Sequence, residues 1–198
     1  MGPSALSRVG AAERRVFCED VIMTKKQFTL YSKKVLEHFK HPRNYGKMKN
    51  PDGIGQAGNI RCGDVMYLYI KVGKRKDGKE YIKDIKFQTY GCLAAIASSS
   101  ILTELVKGKT LEDAIKIDRN LIIKKLGGLP PIKIHCSVLA TDALLEAIYD
   151  YLSKNKKPIP KILKEKHKQI EKEKKEIEKR YKEWIKLEEK LQKDDYKK

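Results

Sequence analysis

Residues 65–72 alternate in a way that leaves few folds open: Met66, Leu68, Ile70 and Val72 share one face, opposite Tyr67 and Tyr69. A period of two is the signature of a pleated strand with one buried side. Asp77-Gly78 then supplies a turn, and residues 81–90 read as a second strand carrying Ile85 and Phe87, so the two make an antiparallel hairpin. From there the pattern becomes helical. Residues 94–107 are small on one side and apolar on the other, with Gly108 as a natural stop. Thr110-x-x-Asp113 opens a short helix as a capping box, residues 121–126 form another closed by Gly127-Gly128, and Ser137 is placed to cap a long helix reaching about Leu152. Ahead of the hairpin, residues 31–40 put Val35, Leu36 and Phe39 on one helical face until His41-Pro42 ends it. The expected fold class is α+β: a small antiparallel β-sheet packed against helices on one side.

Composition sets the outer limits. A chain of 198 residues can build one domain with a real core plus extensions. No apolar run approaches the roughly 20 residues needed to cross a bilayer. The formal net charge of +18 is uneven: residues 1–22 balance, whereas residues 153–198 hold 18 Lys and Arg against 10 Asp and Glu. Such an excess can recruit nucleic acid, but a solvated Lys-rich tail needs no ligand; neither nucleic acid nor membrane is expected as a partner.

The domain organisation expected is a leader over residues 1–24, a folded domain over 25–156 and a Lys/Glu-rich helical tail over 157–198. In the leader, Glu13, Glu19 and Asp20 offset Arg8, Arg14 and Arg15, which argues against an organelle transit peptide. The segment is read as disordered or as a start-site artefact, with Met23 resembling a natural start. In the tail, Leu163, Ile170, Ile177, Trp184 and Leu191 recur every seven residues, but the companion position holds Lys166, Glu173 and Arg180. One apolar stripe is too narrow for a coiled coil; the reading is a single charged helix that docks lightly or frays.

Three constellations bear on chemistry. Gly53-Ile54-Gly55-Gln56-Ala57-Gly58 matches a dinucleotide fingerprint in letters only, since no strand is expected before it and no helix after it; it is read as part of a flexible Gly-, Asn- and Pro-rich loop over residues 44–59. His38 and His41 form an H-x-x-H pair at a helix C-terminus, where cationic side chains are favoured anyway. The cysteines matter more. Four in 198 residues do not make a disulfide scaffold, and Cys18 stands alone in the leader. Cys62 sits in a Gly loop before the first strand, Cys92 at a helix start after the second, and Cys136 at the start of the long helix. Helix N-termini favour thiolate, the form that ligates soft metals. Three thiolates leave one ligand to find, and Asp64 or His135 can supply it. Spacing alone also allows three unrelated cysteines.

Gly63-Asp64, Tyr90-Gly91-Cys92 with Ile96-Ala97-Ser98-Ser99-Ser100, and residues 129–137 (Leu-Pro-Pro-Ile-Lys-Ile-His-Cys-Ser) together resemble IscU, the scaffold family also called the NifU N-terminal domain. The resemblance runs from about Tyr31 to Leu152, through Leu36-Glu37-His38-Phe39 and Pro42-Arg43-Asn44-Tyr45-Gly46. It implies a non-enzymatic scaffold on which Cys62, Cys92 and Cys136, with Asp64 or His135, hold a labile 2Fe-2S cluster built from Fe2+, and hold Zn2+ in the cluster-free form. It implies Cys136 as the main acceptor of persulfide sulfur from a cysteine desulfurase of the IscS/NifS-like kind, and Asp64 as the residue tied to cluster lability. Leu129, Pro130, Pro131, Ile132 and Lys133 resemble the peptide gripped by a DnaK-type chaperone with its J-type co-chaperone, the prolines favouring an exposed extended segment. Apo iron–sulfur proteins would receive the cluster, a homodimer is one assembly state to test, and the compartment implied is the cytoplasm, or the mitochondrial matrix in a eukaryote. Ile60 stands where the family has a small residue or Pro, Ile132 replaces the commoner Val, and nothing carries over beyond Pro160. A zinc-binding, desulfurase-activating protein of the SufU type is the alternative, but that type has an insertion between the second and third Cys and lacks this His.

Overall fold

The computed structural model describes residues 30–58 and 63–195 and, within the last helix, leaves out the side chains of residues 177, 181 and 184–195. The leader, Cys18 and Cys62 lie outside the described residues.

Three strands form one antiparallel sheet in the order β1-β2-β3: β1 (Gly53–Gly58), β2 (Val65–Lys74) and β3 (Glu80–Tyr90). The alternation in β2 and β3 does what a two-residue period requires. Met66, Leu68, Ile70, Ile82, Ile85 and Phe87 are fully buried on one face, with Leu68 opposite Phe87 and Ile70 opposite Ile85. Helices α1 (Lys33–Lys40), α2 (Leu93–Val106), α3 (Leu111–Ile115), α4 (Arg119–Leu126) and α5 (Ile134–Lys154) complete the core, which is α+β as expected. α1 starts two residues later than the periodicity suggests, because the Ser32 hydroxyl accepts a hydrogen bond from the Val35 amide at 3.1 Å and so caps the helix. Gly127 ends α4 with φ of 76°, a left-handed cap that glycine takes without a Cβ clash.

Two expectations are corrected. Residues 53–58 are a strand, not flexible loop. Its buried face is Gly53, Gly55 and Ala57, while Ile54 and Gln56 face outward. β-forming side chains are missing from that face because the backbone of α5 occupies their place: a Cβ at Gly53 would fall onto the Ala147 carbonyl oxygen, and one at Gly55 onto the Ala143 carbonyl oxygen. The alternation is present, but in glycines it cannot be read as hydrophobicity. Secondly, Ser137 does not cap α5. A 3-10 turn over Pro131–Lys133 starts the helical path earlier, and the Ser137 hydroxyl donates to the Ile134 carbonyl at 2.6 Å within the first turn.

α6 (Lys161–Asp195) follows Pro158-Ile159-Pro160 and packs on α5 and β1. The first two members of its seven-residue apolar series, Leu163 and Ile170, are almost wholly buried, each contributing roughly 1.5–3 kcal/mol to the docking.

The glycine face gives a direct test. Gly55→Ala should destabilise the protein by about 3 kcal/mol, because the backbone it meets cannot move aside. Gln56→Ala, one position away and facing outward, should change stability by less than about 0.5 kcal/mol. Urea denaturation followed by circular dichroism measures both.

Candidate metal centre

Cys92 is the N-cap of α2, with an extended backbone (φ −73°, ψ 171°) that ends β3 and lets the next residue begin the helix. Cys136 is the third residue of α5. The two helix starts meet, so that the sulfurs lie 3.5 Å apart with no disulfide between them, Cys92 half-buried and Cys136 fully buried. Asp64 joins them from the segment entering β2: its Oδ2 is 3.7 Å from Cys136 Sγ, and the residue is only 6% exposed. Room for that carboxylate depends on Gly91, where a Cβ would stand 2.9 Å from Asp64 Cγ. His135 lies beside Cys136, and its Nε2 is buried with no hydrogen-bond partner among the described residues. Ligand atoms of Asp64, His135 and Cys136 all fall within 4.8 Å of one another.

Four of the five residues read from the sequence as ligands therefore share one patch, and the fifth, Cys62, is outside the described residues. The chain arrives at Asp64 through Gly63, whose φ of 71° is left-handed and suits glycine. An oxygen, a nitrogen and two sulfurs make a mixed donor set of the kind that can hold a metal ion. An imidazole nitrogen buried without a partner costs free energy unless something binds it.

The electrostatics favour a nucleophilic thiolate. Cys92 is lowered from the ordinary thiol value of 9.0 to about 6. The largest cause is the hydrogen bond from Cys136, helped by the amides of Ala94 and Ala95 at the start of α2; burial and the Asp64 charge push the other way. Lys133 responds in the opposite sense, its ammonium raised chiefly by the negative charge of Cys92. The Tyr31 phenol is raised by burial, with the Cys92 and Cys136 charges adding to it.

Tyr31 and Gly91 were not singled out from sequence as part of the site. Tyr31 is remote in the chain from every cysteine, and only folding brings it near. Gly91 was legible only as a neighbour of Cys92. The segment 129–133 differs from the extended peptide expected: Pro130 is extended (φ −54°, ψ 141°), but Pro131–Lys133 is a 3-10 turn. Proline fixes φ near −65°, which suits a helical turn as well as an extended one. Ile132 remains 76% exposed at its tip.

The other candidates fall away. His38 is buried and uses Nδ1 on the Ser100 hydroxyl at 2.8 Å, with Nε2 3.8 Å from Glu104, and His41 is exposed at the end of α1. The glycines of residues 53–58 back onto α5 instead of opening a helix. No helix among the described residues is long and apolar enough to cross a membrane.

Comparison with known proteins bears on this arrangement. The family described as "NifU-like N terminal domain" matches residues 30–158. "Iron-sulfur cluster assembly scaffold protein IscU 1" of Archaeoglobus fulgidus is 57% identical over 128 residues, covering 65% of this chain and 80% of that protein. "Iron-sulfur cluster assembly scaffold protein IscU" of Aquifex aeolicus is 49% identical over 124 residues, covering 63% of this chain and 77% of that protein. "Iron sulfur cluster assembly protein 1, mitochondrial" of Debaryomyces hansenii is 54% identical over 128 residues, covering 63% and 69%.

With metal absent, alkylation of Cys92 by iodoacetamide should be slow below pH 5, rise through a midpoint near 6 and level off above 7, because only the thiolate reacts. Asp64→Asn removes a negative charge that disfavours the thiolate, so it should move the midpoint down. A midpoint near 8.5, the free-thiol value, would contradict the geometry.

Proposed function

The chain belongs to the NifU-like N-terminal domain family, and from that premise we propose that it is a non-enzymatic scaffold for iron–sulfur cluster assembly, with residues 157–198 an extension outside the family pattern. The observation that carries the proposal is the meeting of Cys92, Cys136, Asp64 and His135 at the starts of two helices. Cys62 precedes Asp64 by two residues, and two residues of chain span no more than about 7 Å, so its sulfur is tethered within reach of the same patch.

In this reading Cys62, Cys92 and Cys136 hold a 2Fe-2S cluster as cargo, with Asp64 or His135 as the fourth ligand. The same donors take Zn2+ when no cluster is bound. A hard ligand beside three thiolates weakens the hold on the cluster, which suits a carrier better than a permanent redox centre. Sulfur arrives as the outer atom of a persulfide on a cysteine desulfurase. A scaffold thiolate attacks that atom, the new S–S bond forms, and the donor cysteine leaves as thiolate. Cys136 is the acceptor suggested by resemblance. Cys136 has no solvent exposure, so it has to become accessible before sulfur reaches it, while Cys92 is only half-buried and its thiol is lowered to about 6. Partners on this account are the desulfurase, a DnaK-type chaperone with its co-chaperone acting on the Leu129–Lys133 segment, and apo iron–sulfur proteins; the site of action is cytoplasmic, or the mitochondrial matrix in a eukaryote.

A SufU-like zinc protein would use the same residues, but the relatives above carry the scaffold description, and His135 with no insertion before it fits that description better.

Anaerobic incubation with Fe2+, cysteine and a desulfurase should colour the protein brown, with visible sulfur-to-iron charge-transfer absorption. Ala at Cys62, Cys92 or Cys136 should remove most of the absorption, and Asp64→Ala should hold the cluster longer and slow its transfer to apo-ferredoxin several-fold. A triple Cys variant that colours as well as the wild type would sink the proposal.

A further inference from the structure

We infer that α5 and α6 form a second divalent-metal site, built from Glu146, His167 and Glu171, with nitrogen and oxygen ligands only. The three residues offer ligand atoms within 4.8 Å of one another. His167 and Glu171 are four apart on α6 and so project from the same face of the helix. Glu146 faces them from α5, with both carboxylate oxygens at 3.0 and 3.1 Å from His167 Nδ1. With metal–ligand bonds of about 2.0–2.2 Å, tetrahedral neighbours stand about 3.3–3.5 Å apart, so the donors need only small shifts to receive an ion.

Three features make this more than a surface ion pair. Glu146 is 6% exposed, and a carboxylate taken out of water requires a cation close by. The His167 ring is held flat against Tyr149, with centroids 3.9 Å apart and planes 12° from parallel, which aims Nδ1 at the carboxylate before any ion arrives. The cluster also lines a cleft of about 300 Å³ between the outer side of β1 and α6, reached by Ile54 and Gln56, so an ion has a path in. The cation present is Lys174, whose Nζ is 3.0 Å from Glu171 Oε1 and 3.8 Å from Glu146 Oε2. A lysine on a flexible stem can swing to solvent, and it acts as a built-in competitor for the ion. One imidazole and two carboxylates suit a borderline first-row ion such as Zn2+ or Fe2+. Binding would staple the tail to the domain beside its apolar anchors, Leu163 and Ile170.

The site is read with the sulfur donors removed, which keeps it independent of the scaffold reading. In full-length protein carrying Cys62→Ser, Cys92→Ser and Cys136→Ser, calorimetry should find one Zn2+ still bound. Adding His167→Ala should weaken that binding at least tenfold, Glu171→Gln should weaken it less, and Lys174→Met should strengthen it several-fold. No residual zinc, or residual zinc indifferent to His167 and Glu171, would overturn the inference. Should circular dichroism show the triple Ser variant unfolded, wild-type protein is titrated with Co2+, whose visible bands separate thiolate from nitrogen and oxygen ligation. A second, thiolate-free Co2+ that His167→Ala removes supports the site, and its absence overturns it.

Discussion

The close approach of β1 to α5 organises the rest of the molecule. Strand and helix touch backbone to backbone because Gly53 and Gly55 carry nothing to keep them apart from Ala147 and Ala143. Two residues of strand advance about 6.7 Å and four of helix 6.0 Å, so the two elements stay in step while running in opposite directions. Following that pairing onward, the end of β1 points toward the start of α5, where Cys136 stands. One packing contact thus aims the end of β1 at the helix start that carries Cys136. The fold brings Cys92 and Cys136 together by geometry, across a sequence separation of 44 residues.

The chemistry of the patch follows from where the helices begin. Amides at the start of α2 and the neighbouring thiol draw Cys92 toward the thiolate, while Asp64 and burial oppose it. That balance leaves the sulfur ionised near neutral pH yet close to a carboxylate that repels it. On the proposed function, a metal ion bound between them would relieve the repulsion and supply a partner for the buried His135 nitrogen. The Lys133 ammonium, in the turn that leads into α5, is raised chiefly by the Cys92 charge, with Cys136 adding to it.

Much of this was legible in the residues. The β2–β3 hairpin announced itself by alternation and a turn, the helix ends by Gly108 and Gly127, and the cysteine motifs by their neighbours. β1 was not, because hydrophobic periodicity cannot register a face made of glycine; the signal was there as Gly-x-Gly-x-Ala, but its meaning depends on a helix 90 residues away. Ser137 misled because a capping residue type also serves inside a first turn, and the prolines at 130 and 131 are compatible with either an extended strand or a 3-10 turn. For the tail, the seven-residue stripe left a lightly docked or a fraying helix open, and its first two members, Leu163 and Ile170, are buried. His167 and Glu146 are unremarkable letters in a run of charges until α6 folds back on α5.

Zinc-edge X-ray absorption on the metal-free protein given one equivalent of Zn2+ reads the central claim most directly, because it counts the sulfurs around the ion and includes Cys62. Convergence of the cysteines predicts three sulfur scatterers at about 2.3 Å and one oxygen or nitrogen at about 2.0 Å. A shell with two sulfurs or fewer would contradict it.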